Sequence, residues 1–194
     1  MTTGRARRGS IIVGPLVGAT LGLIVLAGVT VALAQATSWV RRANRRAEVE
    51  DAADLVAQTL AFDIRSSGWD PAGTSGARLV QASPSALEVL VDRDGDGAID
   101  TASAERVRWR WTPGTRTLSR QVGRQSMPLA DTIVRAAFEY RDATGSALVA
   151  PAPGLSASDL VRVRSVGLSF AVSAPDGGIV VERAVAVALR GGLP

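Results

Sequence analysis

Between Arg8 and Arg41 the chain carries no charged residue. The uncharged run, residues 10–40, exceeds the roughly 20 residues that an α-helix needs to cross a bilayer. A helix apolar on every side belongs in lipid or among other helices. A secretory signal peptide has a shorter apolar core, about 7–15 residues, and ends at a small-residue cleavage site. This run is longer and flows without a break into an amphipathic pattern, so a permanent helix is expected. Arg5, Arg7 and Arg8 precede it and Arg41, Arg42, Arg45 and Arg46 follow it. The basic flanks balance, and the positive-inside rule gives no orientation.

Within the run, Gly14, Gly18 and Gly22 recur every four residues. On a helix they stack along one face, where another backbone can approach closely. The plainer reading, that glycine is common in membrane helices, stays open beside it. Pro15 lies near the start, where proline costs a helix least. Beyond residue 40, Val49, Ala53, Val56, Leu60 and Ile64 recur at spacings of three or four with charges between them. That is an apolar face for packing on a sheet. Ser66-Ser67-Gly68 supplies a C-terminal cap. The expected organisation is a leader at 1–9, an apolar helix at 10–40, its amphipathic continuation at 41–67 and a β-rich head at 68–194.

In the head, residues 78–82 and 86–91 are β-rich. Residues 106–111 alternate strictly, with Val107, Trp109 and Trp111 on one side and Arg106, Arg108 and Arg110 on the other. Pro113-Gly114 turns the chain into a partner strand at 117–122. Further strands are expected at 133–140, 160–173 and 179–189, the last two joined by Pro175-Asp176-Gly177-Gly178, with a loop over 143–158. Short strands and tight turns predict an antiparallel sheet, and with the helix an α+β fold. The arginine row reads as the solvated face of a half-buried strand, or as a site for an anionic partner.

The chain has no cysteine and no histidine. Disulfides, thiolate catalysis and cysteine metal sites are excluded. The commonest general base and transition-metal ligand are missing as well. The net charge of +4 includes the three arginines before Gly9; without them 19 basic residues face 18 acidic ones, and the balance falls to +1. No basic stripe interleaved with aromatics marks a nucleic-acid surface. A non-enzymatic role follows.

One stretch carries chemistry. In Asp92-Arg93-Asp94-Gly95-Asp96-Gly97-Ala98-Ile99-Asp100 the aspartates fall at positions one, three and five of a calcium loop. Glycine stands at six and isoleucine at eight, and hard oxygen ligands on a tight turn are what Ca²⁺ prefers. Ser103 replaces the bidentate glutamate at position twelve, so Asp100 or Glu105 would complete the set. Asp-Gly pairs also make plain hairpin turns, and both readings stand.

This layout resembles type IV pilins and type II secretion pseudopilins: Arg-Gly, a long apolar helix, an amphipathic half, then a strand-rich head. Phe62-Asp63-Ile64-Arg65-Ser66-Ser67-Gly68-Trp69-Asp70-Pro71 is similar to a stretch of PilW-type minor pilins. The Asp-Gly-Asp-Gly turn, Leu118-Ser119-Arg120, Ala130-Asp131-Thr132-Ile133 and Phe138-Glu139-Tyr140-Arg141-Asp142-Ala143-Thr144-Gly145 follow in the family's order. The resemblance implies cleavage by a prepilin peptidase between Gly9 and Ser10 and methylation of the new terminus. It implies a lollipop fold anchored in the inner membrane with the head outside the cytoplasm, and helix packing with major and minor pilins in a filament. A minor pilin of this kind would prime assembly or sit near the tip. Two residues depart from the pattern. Ser10 stands for the usual phenylalanine. Gly14 stands for the glutamate that in the family is thought to neutralise a neighbour's N-terminal amine.

Overall fold

The computed structural model describes residues 10–68, 78–100, 102–130 and 132–189. The leader with Gly9, the Trp69-Asp70-Pro71 end of the minor-pilin-like stretch, and Asp131 lie outside the described residues. Helix α1 runs unbroken from Ser10–Ser66, through Pro15. Among the described residues nine strands and a short helix follow: β1 (Leu79–Ala82), β2 (Ala86–Leu90), β3 (Arg106–Thr112), β4 (Thr117–Val122), β5 (Gln125–Ala130), β6 (Ile133–Arg141), β7 (Ala147–Leu148), α2 (Ala157–Leu160), β8 (Ser165–Ser173) and β9 (Val180–Ala188). The fold is α+β, a long N-terminal helix with antiparallel sheets.

The chain forms two compact units, Met1–Arg45 and Arg46–Pro194. In the first, the described side chains of the apolar helix, from Gly14 onward, are exposed, Leu16, Leu21, Ile24, Leu26 and Leu33 among them. It is long and apolar enough to cross a membrane. Thr20, Thr30, Thr37 and Ser38 return their hydroxyls to carbonyls three or four residues back. Their polar atoms are thereby satisfied without a partner outside the helix.

In the second unit the strands form two antiparallel sheets, β1-β2-β3-β4-β5 and β7-β6-β8-β9. The single sheet expected from the sequence is therefore two. Val49, Ala53, Val56, Leu60 and Ile64 are buried and join one core with Leu87, Trp109 and Leu118 of the first sheet and Phe138, Tyr140, Leu168 and Phe170 of the second. The helical spacing of three and four puts these five on one stripe, and burying each of the four side chains larger than alanine contributes about 1.5–3 kcal/mol. The Tyr140 hydroxyl donates to the carbonyl oxygens of Ser83 (2.8 Å) and Ala86 (3.2 Å). Phe138 N–H donates to Pro84 O at 2.9 Å. Together these tie the second sheet to the β1–β2 turn. The helix stops where Ser67 N–H returns to Asp63 O at 2.9 Å and Gly68 adopts φ 73°, open to glycine at little cost.

The other differences are local. β5 has no alternation and contains Pro128, which an edge strand tolerates because one side of its backbone needs no ladder partner. The expected 143–158 loop contains β7, two residues paired with the end of β6. The strand expected from residue 160 begins at Ser165, because Ser156 caps a helical turn by accepting from Asp159 N–H.

Asp63 lies in the last turns of α1 and is 1% exposed. Its Oδ2 accepts from Trp109 Nε1 at 2.8 Å and from Arg120 Nε at 2.7 Å, and its Oδ1 accepts from Arg120 Nη2 at 2.7 Å. The carboxylate thus fastens the helix to β3 and β4, which pair Trp109 with Arg120. Replacing one member of a buried pair strands the other charge at a cost of about 3–5 kcal/mol. Asp63→Asn should therefore lower the unfolding midpoint of the second unit by about 6–20 °C. The double variant Asp63→Leu with Arg120→Leu should recover most of that loss. A single variant melting with wild type would show that the pair does not fasten the helix.

Candidate functional site

The acidic stretch forms the connection between β2 and β3, and its backbone is organised from within. Asp92 is fully buried; its Oδ1 accepts from Gly95 N–H at 2.8 Å and its Oδ2 from Gly97 N–H at 3.1 Å. Asp94 accepts from Asp96 N–H at 3.2 Å, and Asp96 from Ala98 N–H at 2.8 Å. Gly95 and Gly97 take φ 77° and 83°, which turns the chain sharply enough to bring alternate carboxylates together. One oxygen from each of Asp92, Asp94 and Asp96 lies within 4.8 Å of the others. Asp92 is buried while Asp94 and Asp96 are exposed, so the cluster has a fixed floor and an open rim.

Glu105 and Asp100 do different work from these three. Glu105 is buried, with Oε1 accepting from Arg93 N–H (3.0 Å) and Asp94 N–H (3.5 Å) and Oε2 from Asp100 N–H (2.7 Å). It gathers both ends of the loop and fixes its shape. Asp100 accepts from Ala102 N–H at 2.9 Å. All five candidate carboxylates accept backbone N–H bonds, and Asp92, Asp94 and Asp96 are the three whose oxygens converge. The loop's far end is pressed against the β4–β5 turn: a Cβ on Gly123 (φ +56°) would lie 2.3 Å from Ser103 O and 2.6 Å from Ala102 O. Only glycine fits there, and Gly123 N–H donates to Arg106 O at 2.8 Å.

The crowding has an electrostatic consequence at Asp94. Its bond from Asp96 N–H pulls its carboxyl down, but desolvation and the carboxylates of Asp96, Glu105 and Asp92 together lift it above its ordinary value. A carboxylate disfavoured by its neighbours gains when a cation joins them. The donor set, all hard oxygens on a glycine-bent loop, suits Ca²⁺.

The arginine row of β3 is mostly committed. Glu88 of β2, buried on the same sheet face, accepts from Arg106 Nε at 2.7 Å through Oε1 and from Arg108 Nε at 2.7 Å through Oε2. No periodicity announces Glu88; its cross-strand register with Arg108 makes the pair. Arg110 alone of the row is exposed, lining a cleft of about 340 Å³ with Gln81, Ser83, Ser85 and Thr112. Gly14, Gly18 and Gly22 have open space where a Cβ would stand, so among the described residues nothing covers their face of α1.

Burial alone would push the Glu88 carboxyl up, but the bonds and charges of Arg106 and Arg108 outweigh it and hold the group below its ordinary value. A depressed carboxylate contributes stability above its unfolded pKa of about 4.3 and loses it as pH falls through the lower folded value. Glu88→Gln should cost about 1–3 kcal/mol at neutral pH and flatten the fall in stability below about pH 4.3. Unfolding midpoints measured from pH 7 downward check this; parallel acid limbs for both proteins would refute it.

No family model matches the chain, and a search of the curated proteins likewise finds no match.

Proposed function

We propose that this protein is a non-enzymatic structural subunit of a type IV pilus, a minor pilin that primes assembly or sits near the tip. The observation that supports this reading best is α1 itself, one helix from Ser10–Ser66. Its first half exposes apolar side chains on every side, while its second half is fastened into a strand-rich unit through Asp63. Such a chain has one element made for lipid or for other helices and another made for water. In this reading prepilin peptidase cuts between Gly9 and Ser10, and the apolar half then leaves the inner membrane to pack with major and minor pilins. Gly14 supports the tip position: a subunit lacking the glutamate cannot neutralise a neighbour ahead of it, and an outermost subunit has none.

Intact mass and N-terminal sequence of the protein from its native membrane test the reading. A chain beginning at Ser10, methylated or not, is the expected result. Retention of Arg5, Arg7 and Arg8 would replace it with a permanently anchored single-pass protein. A type II secretion pseudopilin shares the layout, and which filament co-purifies with the processed chain separates the two.

A second reading of the head follows from the convergence of Asp92, Asp94 and Asp96: a calcium site that stiffens the β2–β3 connection. A ligand at about 100 times its Kd stabilises the folded state by about 2.7 kcal/mol. Millimolar Ca²⁺ should raise the unfolding midpoint of the full chain in detergent, and Mg²⁺, which demands tighter octahedral geometry, should do less. Asp94→Asn should remove the Ca²⁺ response without destabilising the metal-free protein, since it relieves the crowding at that carboxyl. An unchanged midpoint in Ca²⁺ would leave the loop a plain turn.

A further inference from the structure

The outer face of the first sheet carries more positive charge than it can pair. Across β2, Arg106 lies opposite Leu90, Arg108 opposite Glu88 and Arg110 opposite Ala86. Across β4, Arg108 lies opposite Gln121 and Arg110 opposite Ser119. Directly opposite residues share a face, so three guanidinium groups meet one carboxylate here. Glu88 gives one oxygen to Arg106 at 2.7 Å and the other to Arg108 at 2.6 Å. Both of its oxygens are then taken, and among the described residues no acid pairs with Arg110.

An exposed arginine in water needs no partner, but this one borders a cleft. The cleft, about 340 Å³, lies where the β1–β2 turn meets the end of β3, and its lining includes Gln81, Ser85, Trp111, Thr112 and Pro113. Small-molecule sites span about 300–1,000 Å³. The fold itself sets the wall. Trp111 N–H donates to Ser85 O at 2.8 Å and Ser83 N–H to Ala86 O at 2.8 Å, while the Tyr140 hydroxyl braces the same turn from the second sheet. The backbone is thus spent and the side chains are not. Among the described residues the side chains of Gln81, Ser85, Arg110 and Thr112 make no hydrogen bond or ion pair. One fixed charge and three unspent polar groups therefore share one concavity. Its floor, Ser83 and Ala86, is buried, and its rim, Arg110, Thr112 and Pro113, is exposed.

We infer that this cleft binds a hexuronate residue of an acidic polysaccharide, with Arg110 holding the sugar carboxylate. A guanidinium offers two parallel donors that match the two oxygens of a carboxylate. The Ser85 and Thr112 hydroxyls and the Gln81 carboxamide both donate and accept, as the ring hydroxyls of a sugar do. Trp111 and Pro113 supply apolar surface for its C–H groups. A phosphate is met less well, since the cleft has one cation and neither a helix N-terminus nor a nest of free N–H groups among the described residues. An extended peptide would need unpaired main-chain groups, and those of the turn are committed. The exposed rim suits a ring within a longer chain. The site lies wholly in the second unit and holds or fails independently of the filament reading.

Isothermal titration of the full chain in detergent with trigalacturonate tests this. The expected result is saturable binding that Arg110→Gln weakens at least about tenfold. Methyl esterification of the saccharide, which keeps the rings and removes the charge, should cost as much on the wild-type protein. Thr112→Val, which keeps the shape and loses the hydroxyl, should weaken binding about threefold. Arg124→Gln removes the same charge from the β4–β5 turn, at the opposite end of the sheet from Thr112, and should leave the affinity unchanged. No binding by the wild type, or equal binding of the esterified saccharide, would overturn the inference. Equal losses from Arg110→Gln and Arg124→Gln would reduce it to general charge attraction and overturn it too. Competition by inorganic phosphate or by a peptide carboxylate as strong as that of trigalacturonate would overturn the choice of a sugar. Should a variant not fold, the esterified saccharide on the wild-type chain still decides.

Discussion

A carboxylate taken out of water must find a cation and donors in fixed directions, and Asp63 finds all of them on strands far away in sequence. Arg120 supplies two parallel bonds and Trp109 a third. Asp63 holds the Arg120 guanidinium above its ordinary value, against the effect of burial. An apolar stripe such as Val49, Ala53, Val56, Leu60 and Ile64 attracts a sheet without specifying where along it the helix should stop, because the hydrophobic effect is non-directional. A bidentate pair with a third donor tolerates little sliding. The polar contact therefore does what the apolar ones cannot: it selects one register of helix on sheet, a role for which buried ion pairs are better suited than for net stability.

The same division appears in the acidic loop. Glu105 and Asp92 are buried and spend their oxygens on backbone N–H groups, which sets the path of the chain. Asp94 and Asp96 are then carried to an open rim by a backbone they do not control alone. Gly123 closes the arrangement from outside, since any larger residue would strike the Ala102 and Ser103 carbonyls. A cation site assembled this way would be shaped before the ion arrives, and the charge repulsion stored at its rim would be the term that binding relieves.

The sequence announces structure where one physical effect dominates and conceals it where several compete. Period 3.6 in the second half of α1 and period 2 in β3 place their buried residues correctly, because burial on one face is all that either needs. β5 hides because an edge strand with Pro128 and polar neighbours has no buried face to imprint a period. β7 and α2 are too short to carry one. Glu88 and Glu105 hide for another reason. Their roles depend on which backbone or strand lies opposite, and that is fixed by register across 18 or more residues for the Glu88 pairs and by a loop closure for Glu105. Asp63 sits between these cases. Its neighbourhood resembles a family stretch, yet nothing local says that its partners are Trp109 and Arg120.

The two halves of α1 differ in what they bury: residues 14–48 are exposed, while Val49, Ala53, Val56, Leu60 and Ile64 enter the core. The apolar half can satisfy its backbone and hydroxyls internally and needs nothing from water. The amphipathic half is stabilised by the strands it packs on. Between them the charged stretch is drawn into the same packing: Val49 and Ala53 enter the core, Arg46 pairs with Glu50 at 2.8 Å along the helix, and Asp54 meets Arg183 of β9 at 3.1 Å. Exposed pairs of this kind are individually weak, so they follow the register that the apolar stripe and Asp63 have already set instead of setting it.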